Sequence, residues 1–251
     1  MALWVRVPPP PPKLAPVAQW MRATDCGSVG RGFKSSRAYQ KKMTKDHQYS
    51  NLAELFDSLV ETEGARVDYE HGETIYKEGE PDNKVYRIES GGVSQSQRIP
   101  SGKLLTYQIL LADDIFSTFH LSSQVVNQPC TAKALVDTTL QEVLRDSFRD
   151  QLLKNPELAL DVVDMISDEL QSRDRTLENQ ISLTAKERIH SILRKLAPLG
   201  EESPEGRSIG FLTRKELAEM AGMTEETVTR SLGKLEEEGQ LKKTRGEVVL
   251  L

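Results

Sequence analysis

Near the C-terminus, the stretch LTRKELAEMAGMTEETVTRSLGKLEEEGQLKK sets Glu226 and Arg230 four residues apart, with Thr229 between them. On a helix this spacing stacks the two charges on one face. An arginine so placed can donate a fork of two hydrogen bonds to guanine O6 and N7, and a glutamate can accept from cytosine N4. The residue types therefore suit reading a G·C pair. Lys234, Lys242, Lys243 and Arg245 lie close by in the chain and could neutralise phosphates. Helix N-termini expected at Thr213 and Thr224 would offer free backbone amides to the same phosphates.

The elements that must hold these residues are legible in the same stretch. Thr213 and Glu216 have capping-box spacing, in which hydroxyl and carboxylate satisfy the first free amides of a helix. That helix would turn Leu217 and Met220 inward. Ala221-Gly222-Met223 supplies a tight turn, and Thr224 caps a second helix with Val228, Leu232 and Leu235 on its inner face. Helix, glycine turn and helix at this spacing predict a helix-turn-helix. Gln240 to Leu251 reads as two short strands around Thr244-Arg245-Gly246, a wing. A generic helical hairpin with a terminal ribbon is the plainer alternative.

Upstream, Leu52, Leu55, Phe56 and Leu59 predict a short amphipathic helix. Turn chemistry at Gly72, Gly79, Pro81-Asp82-Asn83, Gly91-Gly92 and Ser101-Gly102 then separates short β-rich runs. Turns about every ten residues predict a compact antiparallel roll, with strands running to about Val143. From Phe148 the pattern is helical, and Asn155-Pro156 marks a new helix start. Val163, Leu170 and Leu177 recur at seven, with Ile166, Arg173 and Gln180 on the companion row. Such a seam could pair with a second copy of the chain, or pack only on its own roll. Thr184 and Glu187 form another capping box, ahead of Ile189, Ile192, Leu193 and Leu196. Pro198 to Gly206 reads as a loop.

The totals narrow the function class. Hydrophobic content of 37% and charged content of 28% fit a globular protein, and no run approaches the length of a membrane span. Two cysteines, Cys26 and Cys130, point to a reducing, cytoplasmic setting and fall short of an iron–sulfur ligand set. The four histidines (His47, His71, His120, His190) are far apart, so a metal-dependent roll enzyme lacks its clustered ligands. No nucleophile elbow, P-loop or HExxH motif occurs. Net charge is −5, but residues 1–42 carry eight Lys and Arg against Asp25 alone. That basic tail could be a nucleic-acid or lipid arm, or a disordered tail. A third reading is translation through an upstream tRNA gene, because codons for Val17 to Trp20 and Gly32 to Ser35 resemble its D-arm and T-arm. On that reading translation begins at Met43.

Taken together, GETIYKEGEPDNKVYRIESGGV, the helix from Asn155-Pro156 and LTRKELAEMAGMTEETVTRSLGKLEEEGQL resemble the cyclic-AMP receptor/fumarate–nitrate-reduction (CRP/FNR) regulators of bacteria. The likeness runs from about Asn51 to Leu251 and implies an α+β fold, which with the tail read from composition gives a chain in four parts. These are the tail 1–42, a β-roll sensor 43–147 of cyclic-nucleotide-binding type, a long dimerisation helix 148–183 and a winged helix-turn-helix 184–251. It implies a homodimer joined through Val163, Ile166, Leu170, Arg173 and Leu177, bound to an inverted repeat in double-stranded DNA. RNA polymerase is the implied protein partner, and no membrane is involved. Glu226 and Arg230 take the positions that read a G·C pair in a TGA core, and Thr229 favours a TTGA half-site. Glu225 stands where the cyclic-AMP protein carries a DNA-contacting Arg.

The effector positions depart from the family. Asp113 and Asp114 stand about where a Gly-Glu pair holds ribose, Cys130 and Thr131 near an Arg-Ser pair for phosphate, and Arg173 and Asp174 at the adenine contacts. A buried phosphate without its Arg is unfavourable by several kcal/mol, of the order of 2–7 kcal/mol for an unpaired polar group and more for a charge. Cyclic AMP is therefore not expected, and no cofactor is assigned. Haem through His71 or His120 with Cys130, a redox switch at Cys130, and a cyclic-nucleotide module acting through a protein partner are the other readings. An effector-independent regulator fits equally well.

Overall fold

The computed structural model describes residues 49–251 except 101, 123–124 and 245–246. The readings on residues 1–42 and on Arg245 lie outside the described residues. Helix α1, Ser50–Thr62, buries Leu52, Phe56 and Leu59 and leaves Leu55 partly covered. Short strands follow: β1 (Ala65–Tyr69), β2 (Thr74–Tyr76), β3 (Pro81–Asp82), β4 (Lys84–Ser90), β5 (Gly92–Arg98), β6 (Leu104–Leu111), β7 (Ile115–Phe116), β8 (Val126–Asn127), β9 (Thr131–Ala134) and β10 (Thr138–Leu144). They pair antiparallel as β1-β10-β4-β7 and β2-β9-β5-β6, with β3-β8 a small ribbon.

Both sheets contribute to one core, with Tyr86, Ile88 and Leu140 from the first meeting Val93, Leu110 and Ala132 from the second. The turn between β4 and β5 requires glycine. Gly91 sits at φ +89°, and a Cβ there would lie 2.4 Å from Thr138 Oγ1. Left-handed backbone and close approach both exclude a side chain.

Helix α2 spans Arg145–Lys154, starting earlier than the Phe148 expected from the sequence, and α3 spans Pro156–Ser182. Asn155 between them has φ −128° and ψ 88°. A proline forces its predecessor out of helical backbone while tolerating the first helical position itself. Phe56, Val85, Phe148, Val162 and Met165 pack α1, α2 and α3 against the roll.

Helix α4, Ala185–Leu196, opens on the expected box of Thr184 and Glu187 and buries Ile189, Leu193 and Leu196. A short 3-10 turn, Ala197–Leu199, follows. The loop expected over Pro198 to Gly206 is in fact a hairpin, β11 (Glu201–Ser203) and β12 (Gly206–Ile209). Glu, Ser and Gly have little strand preference of their own. Pairing of Arg207, Ser208 and Ile209 with Leu250, Val249 and Val248 supplies what the local sequence lacks. Helices α5 (Arg214–Ala221) and α6 (Glu225–Glu237) and strands β13 (Leu241–Thr244) and β14 (Glu247–Leu250) complete the chain. The last sheet runs β11-β12-β14-β13. The architecture is the α+β one expected: an antiparallel roll, a long helix and a winged helix-turn-helix. Among the described residues, no helix is long and apolar enough to cross a membrane.

Candidate nucleic-acid interface

Thr213 and Glu216 start α5 reciprocally. Thr213 Oγ1 accepts from the Glu216 amide at 3.2 Å, and Glu216 Oε2 accepts from the Thr213 amide at 2.9 Å. Burial works against the charged Glu216 carboxyl, yet the Thr213 amide and hydroxyl hold it below the usual carboxylate range. Helix α5 stops at Gly222, where φ is +63°. A Cβ there would meet only Leu105 Cδ1, at 3.6 Å, so the left-handed backbone and not space selects glycine. Thr224 Oγ1 then accepts from the Thr227 amide at 3.3 Å and begins α6. Both threonine hydroxyls are thus engaged in capping, and what the helix starts offer a phosphate is backbone N–H.

Helix α6 buries Val228, Leu232 and Leu235 and exposes Glu225, Glu226, Thr229 and Arg230. Arg230 Nη2 donates to Glu226 Oε1 at 2.7 Å, with the side chains 65% and 82% exposed. An exposed pair of this spacing is worth about 0.3–0.5 kcal/mol, so base edges can compete for either partner. Thr229 Oγ1 donates to the Glu225 carbonyl at 2.9 Å and accepts from Arg214 Nη1 at 2.8 Å. Arg214 carries no signal in the sequence. It stands fifteen residues from Thr229, on the first turn of α5, and only the crossing of α5 and α6 aims it at the exposed face.

The basic residues differ in availability. Lys234 is exposed on α6. Lys242 Nζ is paired with Glu205 at 2.7 Å and Lys243 Nζ with Glu236 at 2.7 Å. The Lys243 ammonium and amide hold the Glu236 carboxyl below its ordinary value. A phosphate would take these lysines over from carboxylates. Glu205 belongs to the hairpin whose local sequence reads as a loop.

The roll touches this domain directly. Ile109 and Leu135 join the core formed by α4, α5 and α6, and Lys133 Nζ lies 3.7 Å from Glu216 Oε1. Along α3, Leu160, Val163, Leu170, Leu177 and Ile181 are exposed large apolar side chains. Of the residues expected on that seam, Ile166 packs partly on the roll core. Arg173 also turns to the roll: it donates to Gln108 Oε1 and Glu169 Oε1 and lies over the Tyr107 ring, 5.1 Å from its centroid.

A cavity of about 500 Å³ opens between roll and α3, lined among others by Gln95, Phe116, His120, Leu170 and Arg173. Of the residues expected at the cyclic-nucleotide positions only Arg173 lines it, and of those in the haem reading only His120. Asp113 and Asp114 border a different hollow, of about 450 Å³; Asp113 pairs with Arg87 and Asp114 accepts from the Leu111 amide. Thr131 accepts from the Glu78 amide. Asp174 is exposed on α3. Cys130 is buried against Tyr76, and burial pushes its thiol up.

Fully buried Arg145 has no sequence signal. Its guanidinium donates to the Ser117, Phe119 and Lys84 carbonyls at 2.9, 2.8 and 3.0 Å and pins the loop that lines the cavity.

Two family models match the chain: a Crp-like helix-turn-helix domain over residues 187–251 and a cyclic nucleotide-binding domain over residues 66–155. The global nitrogen regulator of Synechococcus elongatus is 30% identical over 172 residues, 67% of this chain and 78% of that protein. A CRP-like cAMP-activated global transcriptional regulator of Mycobacterium tuberculosis is 27% identical over 189 residues, 74% and 83% of the two chains. The solved structure of a CRP/FNR-family transcriptional regulator from Thermus thermophilus superposes with a TM-score of 0.63 at 26% identity, covering 74% of this chain and 93% of that one. These relatives are regulators of transcription and not enzymes. With a cyclic nucleotide-binding fold, a long helix and a helix-turn-helix DNA-binding domain in one chain, the protein belongs to the CRP/FNR family of transcription regulators.

Proposed function

We propose that the protein acts as a homodimer that reads an inverted repeat with TGA-core half-sites, of TTGA type, and does so without cyclic AMP. The observation that carries this reading is the exposed Glu226–Arg230 pair on α6, the helix whose opposite face is locked into the core. Two recognition helices related by a two-fold axis would enter major grooves about 34 Å apart. Residues 43–147 would be the sensor, 148–183 the dimerisation helix and 184–251 the DNA reader. RNA polymerase would be the protein partner and the cytoplasm the setting. Thr229, with its hydroxyl engaged by Arg214 and Glu225, would meet a thymine methyl through its own methyl group.

Independence from cyclic AMP is supported by the cavity. Among the described residues its one permanent cation, Arg173, already holds Glu169 at 2.6 Å, and Pro129 lies on the wall where an anion-holding arginine is expected. A cyclic phosphate there would have to share that single cation with Glu169. The size of the cavity favours a second reading, gating by a ligand other than a cyclic nucleotide.

Fluorescence anisotropy of residues 43–251 against a TTGA…TCAA duplex and a scrambled duplex, with and without cyclic AMP, tests the proposal. Specific binding unchanged by the nucleotide is expected. Specific binding that appears only with cyclic AMP refutes the effector reading, and equal affinity for both duplexes refutes the half-site.

A further inference from the structure

The exposed face of α3 has a polar position that its own chain leaves unanswered. Leu160, Val163, Ser167, Leu170, Asp174, Leu177 and Ile181 follow one another at alternating steps of three and four, the spacing of a two-stranded seam. All are exposed. Asp174 lies between Leu170 and Leu177 and has no partner among the described residues. Beside it, Arg173 uses Nε and Nη2 on Gln108 and Glu169, while its Nη1 amines have no partner among the described residues. The Arg173 side chain remains 42% exposed.

We infer that Asp174 of each copy pairs with Arg173 of the other across a parallel α3 seam, and that this reciprocal ion pair sets the register and strength of the dimer. The inference rests on the homodimer reading above. Parallel pairing places each layer on its own copy: leucine on leucine, Ser167 on Ser167, Asp174 on Asp174. Antiparallel pairing would set Asp174 against a residue of the apolar row, burying a charge without a counter-charge. In the parallel arrangement a side chain at 174 seats in a hole formed by residues 170, 173, 174 and 177 of the facing helix. The unused Nη1 amines of Arg173 then form a wall of that hole. The same register sets Arg173 across from Glu178 of the second copy. Two aspartates that would repel each other are thereby each given a cation, and the apolar layers are held in one alignment. Because Arg173 also lines the cavity, the seam and the sensor share a side chain.

The test is a double-mutant cycle on the dimer dissociation constant, measured by sedimentation equilibrium on the whole chain. Arg173→Gln leaves the two aspartates unanswered and is expected to weaken the dimer about tenfold or more, whereas in an Asp174→Asn background the same change has less than about a threefold effect. Equal weakening in both backgrounds overturns the inference, since it would trace the loss to Gln108, Glu169 and Tyr107 within one copy. Mixing Arg173→Glu protein with Asp174→Lys protein is the second arm. Each homodimer then has like charges across the seam and the heterodimer has opposite ones, so heterodimer is expected to predominate. A statistical mixture overturns the pair. Far-ultraviolet circular dichroism verifies that each variant is folded. Wild-type protein that stays monomeric at every concentration overturns the homodimer reading itself, and the pair with it.

Discussion

Replacing Arg230 by Ala separates base reading from folding. In the free protein the guanidinium touches Glu226 at 2.7 Å, and both side chains are more than half exposed. Loss of that pair removes about 0.3–0.5 kcal/mol of helix stabilisation. For a chain of this size the melting temperature should fall by no more than about 2 °C. On the proposed reading, the same change removes from the DNA complex a forked contact worth about 1–3 kcal/mol, or roughly five- to 150-fold in affinity for one half-site. The proposed two-fold dimer would meet the loss twice, so affinity for a symmetric duplex should fall by about 30-fold to 20,000-fold. The discriminating assay is anisotropy against the symmetric duplex and against duplexes with the target G·C pair exchanged in both half-sites. Arg230→Ala should lose about 1–3 kcal/mol per half-site of its preference between the two, leaving only what Glu226 reads from the cytosine. Lys234→Ala should weaken both alike and lower the slope of log K against log salt by about 0.9 for each phosphate it no longer neutralises. Undiminished discrimination by Arg230→Ala would refute the reasoning outright.

Glu236→Gln releases Lys243 for phosphate, so affinity for scrambled DNA should rise and the salt slope steepen by about 0.9 per subunit, as salt-dependent anisotropy would register. Thr213→Ala removes the α5 cap and should destabilise the protein by about 1 kcal/mol in thermal melts. Glu216 is held below its unfolded value, so its share of stability is present above the unfolded carboxylate pKa of about 4.3 and disappears as pH falls through the lower folded value. The difference in stability between wild type and Glu216→Ala should therefore shrink below about pH 4. Gly222→Ala meets ordinary contact at Leu105, so its expected loss of about 1 kcal/mol is backbone strain, and Asn at the same site should cost less in the same melts. Cys130 is 1% exposed with its thiol pushed up, so a thiol-titrating disulfide reagent at pH 8 should label it only as fast as the protein unfolds; rapid labelling would restore the redox reading.

Local chemistry explains which elements are legible in the sequence alone. Thr184–Glu187 and Thr213–Glu216 announce helix starts because both partners of each cap lie within four residues. Gly222 announces the turn because left-handed backbone selects its residue type. Leu52, Phe56 and Leu59 announce α1 because two turns of periodicity are enough. The β11–β12 hairpin looks like a loop in the sequence because its pairing energy comes from β14, some forty residues away. Arg145 carries no signal because its role lies in the carbonyls of Lys84, at the start of β4, and of Ser117 and Phe119, just after β7, and carbonyls have no sequence.

The candidate site divides the same way. The sequence by itself determined that Glu226, Thr229 and Arg230 would share a face, since helical geometry follows from spacing alone. Which charges on that face and on the wing are free was decided by tertiary structure: Arg214 reaches Thr229 across the helix crossing, and Glu205 and Glu236 hold Lys242 and Lys243. The heptad placed Arg173 on the companion row of the seam, but packing against the roll turned it toward Gln108 and Tyr107 and left its neighbour Asp174 on the exposed face. Periodicity states which residues are neighbours on one element. The partners of a charge are set by whatever other elements the fold brings within a few ångströms of it.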